Sequence, residues 1–209
     1  MSRTPEATPR TRNKRGEGGR LRPQILAAAA ELLDEAGSEE AVTLRAVARR
    51  AGIAAPSIYA HFPDRQAILV TLVRDAFAEL SATLSAAATD PDPVVRLRAV
   101  CTAYLDFAGT RPSRYRVMFG GVWSAARALD GDAITEAEAA DLGQDVLAVL
   151  VEALRACAEA GRSTTRDPAA DAVALWLGLH GFAHQRAAAT VFAWPQDIVE
   201  RLVDPLARL

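Results

Sequence analysis

The chain has 209 residues, half of them hydrophobic, with a net charge of −2 and two cysteines; that length fits one large or two small domains whose core needs no disulfide staples. It contains no run of about 18 uncharged apolar residues and no apolar signal core near its N-terminus, so no membrane span is expected and the expected location is cytoplasmic. Cys101 and Cys157 fall in apolar helical patterns far apart in sequence and read as two buried thiols rather than a disulfide or metal site.

The small net charge hides a split. Residues 1–74 carry twelve Lys/Arg against eight Asp/Glu, and residues 75–209 carry twelve against eighteen. The extreme is the first segment, residues 1–22, where Arg3, Arg10, Arg12, Lys14, Arg15, Arg20 and Arg22 face only Glu6 and Glu17 among Pro, Thr and Gly. This reads as a disordered cationic arm, serving either as a solubilising tail or as a set of phosphate or minor-groove contacts.

Helical period and punctuation run through the rest. Pro23 suits the first turn of a helix whose apolar face is Ile25, Ala29, Leu32, Leu33 and Ala36, with Gly37 as its stop. Thr43 caps a second helix with Leu44, Val47, Ala48 and Ala51 inward; Gly52 supplies a left-handed turn, and a short third helix carrying Tyr59 crosses the second. This is the spacing of a helix-turn-helix, whose second helix enters the major groove of DNA. Asp64 caps a long helix in which Ile68, Leu69, Leu72, Val73, Ala76, Phe77, Leu80 and Leu84 recur at three and four, up to the break at Asp90-Pro91-Asp92-Pro93. This helix is expected to join two domains. Asp92 and Pro93 open the next helix, with Leu97, Val100, Cys101, Tyr104, Leu105 and Ala108 inward and its end near Gly109.

A short segment from Pro112 to Phe119 precedes Gly120-Gly121 and a loop reaching Ile134. Thr135 and Glu138 form a capping box at the head of one long helix that carries Leu142, Val146, Leu147, Leu150, Val151 and Leu154 to Gly161. Asp167 and Pro168 start a helix to Val191 that is apolar on nearly all sides, through Val173, Leu175, Trp176, Leu177, Leu179 and Phe182. A helix of that kind needs cover on both faces, which predicts a homodimer through the last two helices. Pro195 begins the final helix, with Ile198, Val199, Leu202, Val203 and Leu206 inward and a kink or end near Pro205. The expected fold class is all-α with about nine helices: a basic arm at 1–22, a helix-turn-helix domain at 23–68, and a ligand-binding and dimerisation bundle at 69–209.

The residues between Thr43 and Arg65 resemble those of the tetracycline-repressor (TetR) family of bacterial regulators. That family has a Thr-x-x-x-Ile/Val-Ala-x-x-Ala-Gly-Val run, then Ser/Thr-x-Tyr-x-His/Tyr-Phe and a basic residue; the matching positions are Thr43, Val47, Ala48, Ala51, Gly52, Ile53, Ser57, Tyr59, His61, Phe62 and Arg65. Two positions depart from the pattern. Ala54 stands where a capping Ser is usual, which weakens the N-cap by about 1 kcal/mol, and Arg65 stands where Lys is usual, which keeps the charge. Later, Trp176, His180 and Gly181 are similar to the Trp-x-x-x-His-Gly signature of a TetR subgroup, and the segment with Tyr115, Met118 and Phe119 is similar to one seen there. The resemblance implies a three-helix DNA-binding domain, backbone contacts from most of Thr43, Tyr59, His61 and Arg65, and a bundle that senses a ligand and dimerises.

Side-chain type assigns the chemistry at DNA. Thr43, Tyr59, His61 and Arg65 offer hydroxyl, imidazole and guanidinium donors suited to phosphates, which position rather than specify. Arg45 points away from the apolar face, toward a base edge, a phosphate or solvent alone. Ala55, Pro56, Ser57 and Ala60 make no bidentate bond to guanine or adenine, so base readout is expected to rest on methyl contacts, Arg45 and DNA shape. Tyr59 also fits a core ring with a wet hydroxyl, and His61 a half-buried ring against the first helix.

For a ligand, Tyr104, Phe107, Tyr115, Met118, Phe119, Trp123, Trp176 and His180 fall on helices expected to face one another, which suits an apolar cavity with a few polar tips and suits a plain core equally. His180 sits among apolar neighbours and needs a partner, from a ligand or from the core. His180 and His184 stand one helical turn apart, as two metal ligands would, but no third ligand lies nearby in sequence; no metal and no other cofactor is expected. The expected function is a ligand-responsive transcriptional regulator, a repressor released from double-stranded operator DNA by a small apolar or amphipathic effector. The alternative is a helical small-molecule-binding protein or enzyme that no longer binds DNA. Against an enzyme stands the lack of a Gly-x-Ser-x-Gly elbow, a phosphate-binding Gly loop, a Cys-x-x-Cys pair and a carboxylate dyad.

Overall fold

The computed structural model describes residues 18–121 and 123–209. Among them every regular element is helical, with ten α-helices, two 3-10 turns and no strand. The basic arm expected over residues 1–22 therefore lies mostly outside the described residues, and its last part is helix: α1 runs Gly18–Ala36 with Pro23 inside it. Pro23 was expected to open this helix because its missing N–H costs least in the first turn. Instead the good helix formers Arg20, Leu21 and Arg22 extend it upstream, and Leu21 packs against the core there.

Local capping explains most of the other boundaries. Thr43 caps α2 (Leu44–Ala51), its hydroxyl accepting from the Ala46 N–H at 3.1 Å, and Gly52 ends it at φ 69°. Asp64 accepts from Ala67 N–H at 2.8 Å at the head of α3 (Arg65–Ala87). Asp92 accepts from Val94 N–H at 2.8 Å at the head of α4 (Pro93–Thr110). Each such cap satisfies a donor that the helix leaves orphaned. α5 spans Pro112–Phe119.

Four further elements differ from the sequence expectation. The loop expected between Gly121 and Ile134 contains α6 (Ala125–Asp130), capped by Ser124. The long helix expected from Thr135 to Gly161 is two, α7 (Glu136–Asp141) and α8 (Gln144–Glu159), although the Thr135–Glu138 capping box is present. The break is at Gly143, whose φ of 80° no helix continues through, and a Cβ there would fall 2.9 Å from Phe77 Cε1; only glycine meets both demands. After α9 (Pro168–Ala188), the final helix α10 begins at Ile198 rather than Pro195 and runs to Leu206 with Pro205 in its last turn.

The fourth difference is the recognition segment, which forms a 3-10 turn, Ala55–Ser57, continued by turn residues to His61 rather than a regular α-helix. Ala54 has no side-chain acceptor and Pro56 has no N–H, so the first bonds close over three residues: Ser57 N–H to Ala54 O at 2.9 Å and Ile58 N–H to Ala55 O at 3.1 Å.

Two apolar cores share α3. The front core joins Ile25, Ala29 and Leu33 of α1, Val47 and Ala48 of α2, Ile58 and Phe62 of the recognition segment, and Ile68, Leu69, Leu72 and Val73 of α3. The rear core joins Ala76, Leu80 and Leu84 of the same helix to Leu97, Val100 and Tyr104 of α4, Leu150 and Leu154 of α8, Leu175 and Leu179 of α9, and Val203 of α10. The cores divide within α3, between Val73 and Ala76. α3 thus contributes to both cores, and no helix among the described residues is long and apolar enough to cross a membrane. Cys101 and Cys157 are both free and buried.

Candidate functional site

Val47 and Ala48 turn into the front core, which leaves Thr43, Arg45 and Arg49 exposed on the other side of α2. In the recognition segment Ile58 and Phe62 face inward while Pro56, Tyr59 and Ala60 face solvent; Tyr59 is 60% exposed, which removes the reading of it as a core ring. Ala55, Ser57 and His61 are half-buried beside them. Thr43, Arg45, Tyr59 and their neighbours are therefore presented outward by α2 and the recognition segment, whose inward residues share one core.

Arg65 behaves differently. Its guanidinium turns back to Glu39, with Nη1 3.5 Å from the backbone oxygen and Nη2 3.9 Å from the carboxylate. Glu39 is buried at 3% exposure and is held more tightly by Arg127 of α6, at 2.7 Å. Arg49 is the surface cation that the sequence reading passed over. It stands four residues after Arg45, one helical turn on, and pairs with no carboxylate among the described residues, whereas its neighbour Arg50 is tied to Glu31 at 3.1 Å and Glu35 at 2.6 Å.

In the rear half, Tyr115, Phe119, Trp176 and His180 come together as expected. Phe119 meets Trp176 and His180 at centroid distances of 6.1 and 4.9 Å, and His184 meets His180 edge to face at 4.5 Å. The Tyr115 hydroxyl lies 2.7 Å from His180 Nδ1 and 3.1 Å from the Tyr104 hydroxyl. With Tyr104 donating to Tyr115 and Tyr115 donating to Nδ1, each hydroxyl hydrogen is used once and the neutral imidazole keeps its proton on Nε2. Burial holds the His180 pKa below its ordinary 6.5, the neighbouring His184 adding to the effect. Burial pushes the Tyr115 phenol up to about 12 and raises that of Tyr104 as well.

Phe107 and Met118 are buried in the same rear core. Trp123 is apart: it packs with Val117, Ala128 and Ile134 in the front core, its indole nitrogen buried without a partner among the described residues. α5 sends Tyr115, Met118 and Phe119 rearward and Val117 forward.

Two cavities flank the ring cluster. At its Trp176 end a cavity of about 230 Å³ is walled by Phe77, Phe119, Leu142, Val146, Leu147 and Trp176. At its His184 end another of about 380 Å³ is walled by Pro112, Tyr115, Arg116, Gly120, Ala183 and His184. Apolar walls with a few polar tips are what a small-molecule site requires. The sequence reading did not place Phe77, Leu142 or Arg116 here. The one available signal was Gly143, a glycine inside a helical pattern, which marks a possible break and thus a concave corner.

Comparison with known proteins agrees with this geometry. The family described as bacterial regulatory proteins, tetR family, matches residues 25–72, and the tetracyclin repressor-like C-terminal domain matches residues 97–208. No curated protein sequence matches the chain. A solved protein of unknown function from Rhodococcus sp. RHA1 is 25% identical, covering 94% of this chain and 98% of that one with a TM-score of 0.77. A bacterial regulatory protein in the tetR family from Rhodococcus RHA1 is 21% identical over 90% of this chain and 95% of its own, with a TM-score of 0.66. The transcriptional regulator FadR from Bacillus subtilis, solved in complex with stearoyl-CoA, shares the fold at 14% identity, 88% and 97% coverage and a TM-score of 0.72.

Proposed function

The chain belongs to the TetR family of bacterial regulatory proteins, DNA-binding transcriptional regulators that respond to a ligand, and on that premise we propose that it is a repressor released from double-stranded operator DNA by a small apolar or amphipathic effector. The observation that carries the DNA side is the outward row of Thr43, Arg45, Pro56, Tyr59 and Ala60 over an inward row of Val47, Ala48, Ile58 and Phe62. In this reading Thr43, Tyr59, His61 and Arg49 hold phosphates. Arg45 reaches a base edge, and Ala55, Pro56, Ser57 and Ala60 supply methyl and shape contacts in the major groove. Arg65 acts mainly through Glu39, positioning the segment. Residues 1–22 supply further cationic contacts, residues 23–68 the DNA-binding domain and residues 69–209 the sensing and dimerising domain.

The effector lies against the ring cluster of Tyr104, Phe107, Tyr115, Met118, Phe119, Trp176 and His180, in a cavity that flanks it, and Trp176, His180 and Gly181 group the chain with relatives bearing the Trp-x-x-x-His-Gly signature. Val173 and Leu177 are exposed on α9, 38% and 55% respectively, next to α10, and a second copy covering this face gives a two-fold dimer with one recognition segment for each of two successive major grooves. An effector acts only through different affinities for the DNA-bound and released spacings. The test is binding of the full chain to duplexes tiled across the promoter region of its own gene, at one salt concentration. Binding to one tile well above the others supports the reading; equal binding to all tiles contradicts it.

A further inference from the structure

The cavity at the His184 end differs from the one beside Trp176 in having a cation in its wall. Arg116 lines it together with Tyr115 and His184, and Pro112 and Ala183 supply apolar surface. Gly120 sets the course of that arginine, since a Cβ on Gly120 would fall 2.4 Å from Arg116 Cγ; the aliphatic stem lies across the glycine. The guanidinium is held by Asp34 of α1, at 3.1 Å to Oδ1, while Asp34 also accepts the Ser113 hydroxyl. A carboxylate therefore already sits on Arg116, and it is supplied by a helix of the DNA-binding half.

Resting on the reading of the rear half as the effector domain, we infer that this cavity takes a small amphipathic carboxylic acid, whose carboxylate exchanges with Asp34 on Arg116 and whose apolar part lies against Ala183, Tyr115 and Pro112. Asp34 meets the guanidinium through one oxygen at one nitrogen, its other oxygen being taken by Ser113, whereas a free carboxylate presents both oxygens to the planar donor fork. The exchange therefore gains a bond that an alcohol does not make, and the apolar part adds the gain of leaving water. Two carboxylates on one guanidinium repel each other. Occupancy thus leaves Asp34 with Ser113 alone and loosens the tie between α5 and α1. Because the tie joins the cavity to the DNA-binding half, a ligand that breaks it changes DNA affinity, and DNA binding opposes the ligand by the same factor.

The test titrates the full chain with octanoate, octanol and octylamine by calorimetry, and measures operator binding of the same samples. Octanoate is expected to bind the unmodified chain at least about tenfold more tightly than octanol, with octylamine weakest. Arg116→Gln should abolish the preference for octanoate while leaving octanol binding unchanged, and Asp34→Asn, which removes the competitor, should tighten octanoate several-fold. Arg116→Lys, which keeps the charge but not the fork, should retain part of the preference and guards against a Gln variant that fails to fold. Equal affinities for octanoate and octanol in a chain that still binds operator overturn this inference and leave the DNA reading standing. Loss of the octanoate preference on Asp34→Asn also overturns it. A chain that binds no operator at all sinks the underlying reading instead.

Discussion

Arg127 of α6 reaches the buried carboxylate of Glu39 at 2.7 Å, and this ion pair joins the middle of the chain to the 3-10 turn, Glu39–Ala41, that leads into the helix-turn-helix. Arg65 approaches the same carboxylate oxygen only to 3.9 Å, too far to replace it. Arg127→Met leaves Glu39 buried with only that distant partner. The expected cost is about 1–3 kcal/mol, reduced from the value for a fully buried pair because Arg127 is half exposed. A urea denaturation midpoint reads it, and adding Glu39→Gln should recover part of the loss; an unchanged midpoint in Arg127→Met contradicts the assignment.

His180 gives the fold a dependence on pH. Its folded-state pKa is depressed below 6.5, first by burial and then by His184, so the unfolded chain takes up the proton earlier as pH falls. Stability is therefore full above about pH 6.5 and declines as pH drops from there through the folded-state value, where it levels off. In His180→Gln that contribution to the decline is absent. Urea midpoints at about pH 7.5 and 5.5 compare the two chains, and an identical fall in both shows that His180 is not the cause.

Leu177 is more than half exposed on α9, so Leu177→Glu should change the stability of a single chain by no more than about 0.5 kcal/mol. The same charge placed in a two-fold interface meets its own copy. Sedimentation of the variant should give monomers with weakened operator binding while the unmodified chain sediments as a dimer. A variant that stays dimeric moves the interface elsewhere.

The boundaries legible in the sequence were those decided locally. Asp64, Asp92, Asp167 and the Thr135–Glu138 pair each cap a helix through bonds to residues two or three positions on, and such bonds depend on nothing distant. The features that were missed depend on tertiary contact. Gly143 breaks a helix at a φ of 80°, and Phe77 of α3 fills the space that a Cβ there would need. α6 is tied by Arg127 to a carboxylate far upstream, and Trp123 joins the front core rather than the ring cluster. The site divides in the same way. The exposure of Thr43, Arg45 and Tyr59 was readable because the inward residues of α2 and of the recognition segment leave them outside, whereas Arg65 reads as a free cation until Glu39 is seen beside it. Tyr115 and His180 were named, but not their hydrogen bond, which spans two helices.

Arg45 and Arg49 sit on one exposed side of α2 and should have different roles. Arg49→Ala is expected to weaken binding to operator and random duplex alike and to lower the salt slope by about one unit. Arg45→Ala should instead reduce the preference for operator by about 1–3 kcal/mol. Competition titrations across a salt series separate them. A preference that survives Arg45→Ala puts base readout in Ala55, Pro56, Ser57 and Ala60 or in DNA shape.

The most direct measurement is fluorescence anisotropy of a labelled promoter duplex against a scrambled duplex of equal length, titrated with the full chain and with Tyr59→Ala at one fixed salt concentration. The chain is expected to prefer the promoter duplex by a factor of about a thousand or more, and Tyr59→Ala to weaken both duplexes together, because a phosphate contact carries no sequence information. Equal binding of the two duplexes by the unmodified chain, or binding untouched by Tyr59→Ala, contradicts the assignment of this surface as an operator-reading interface.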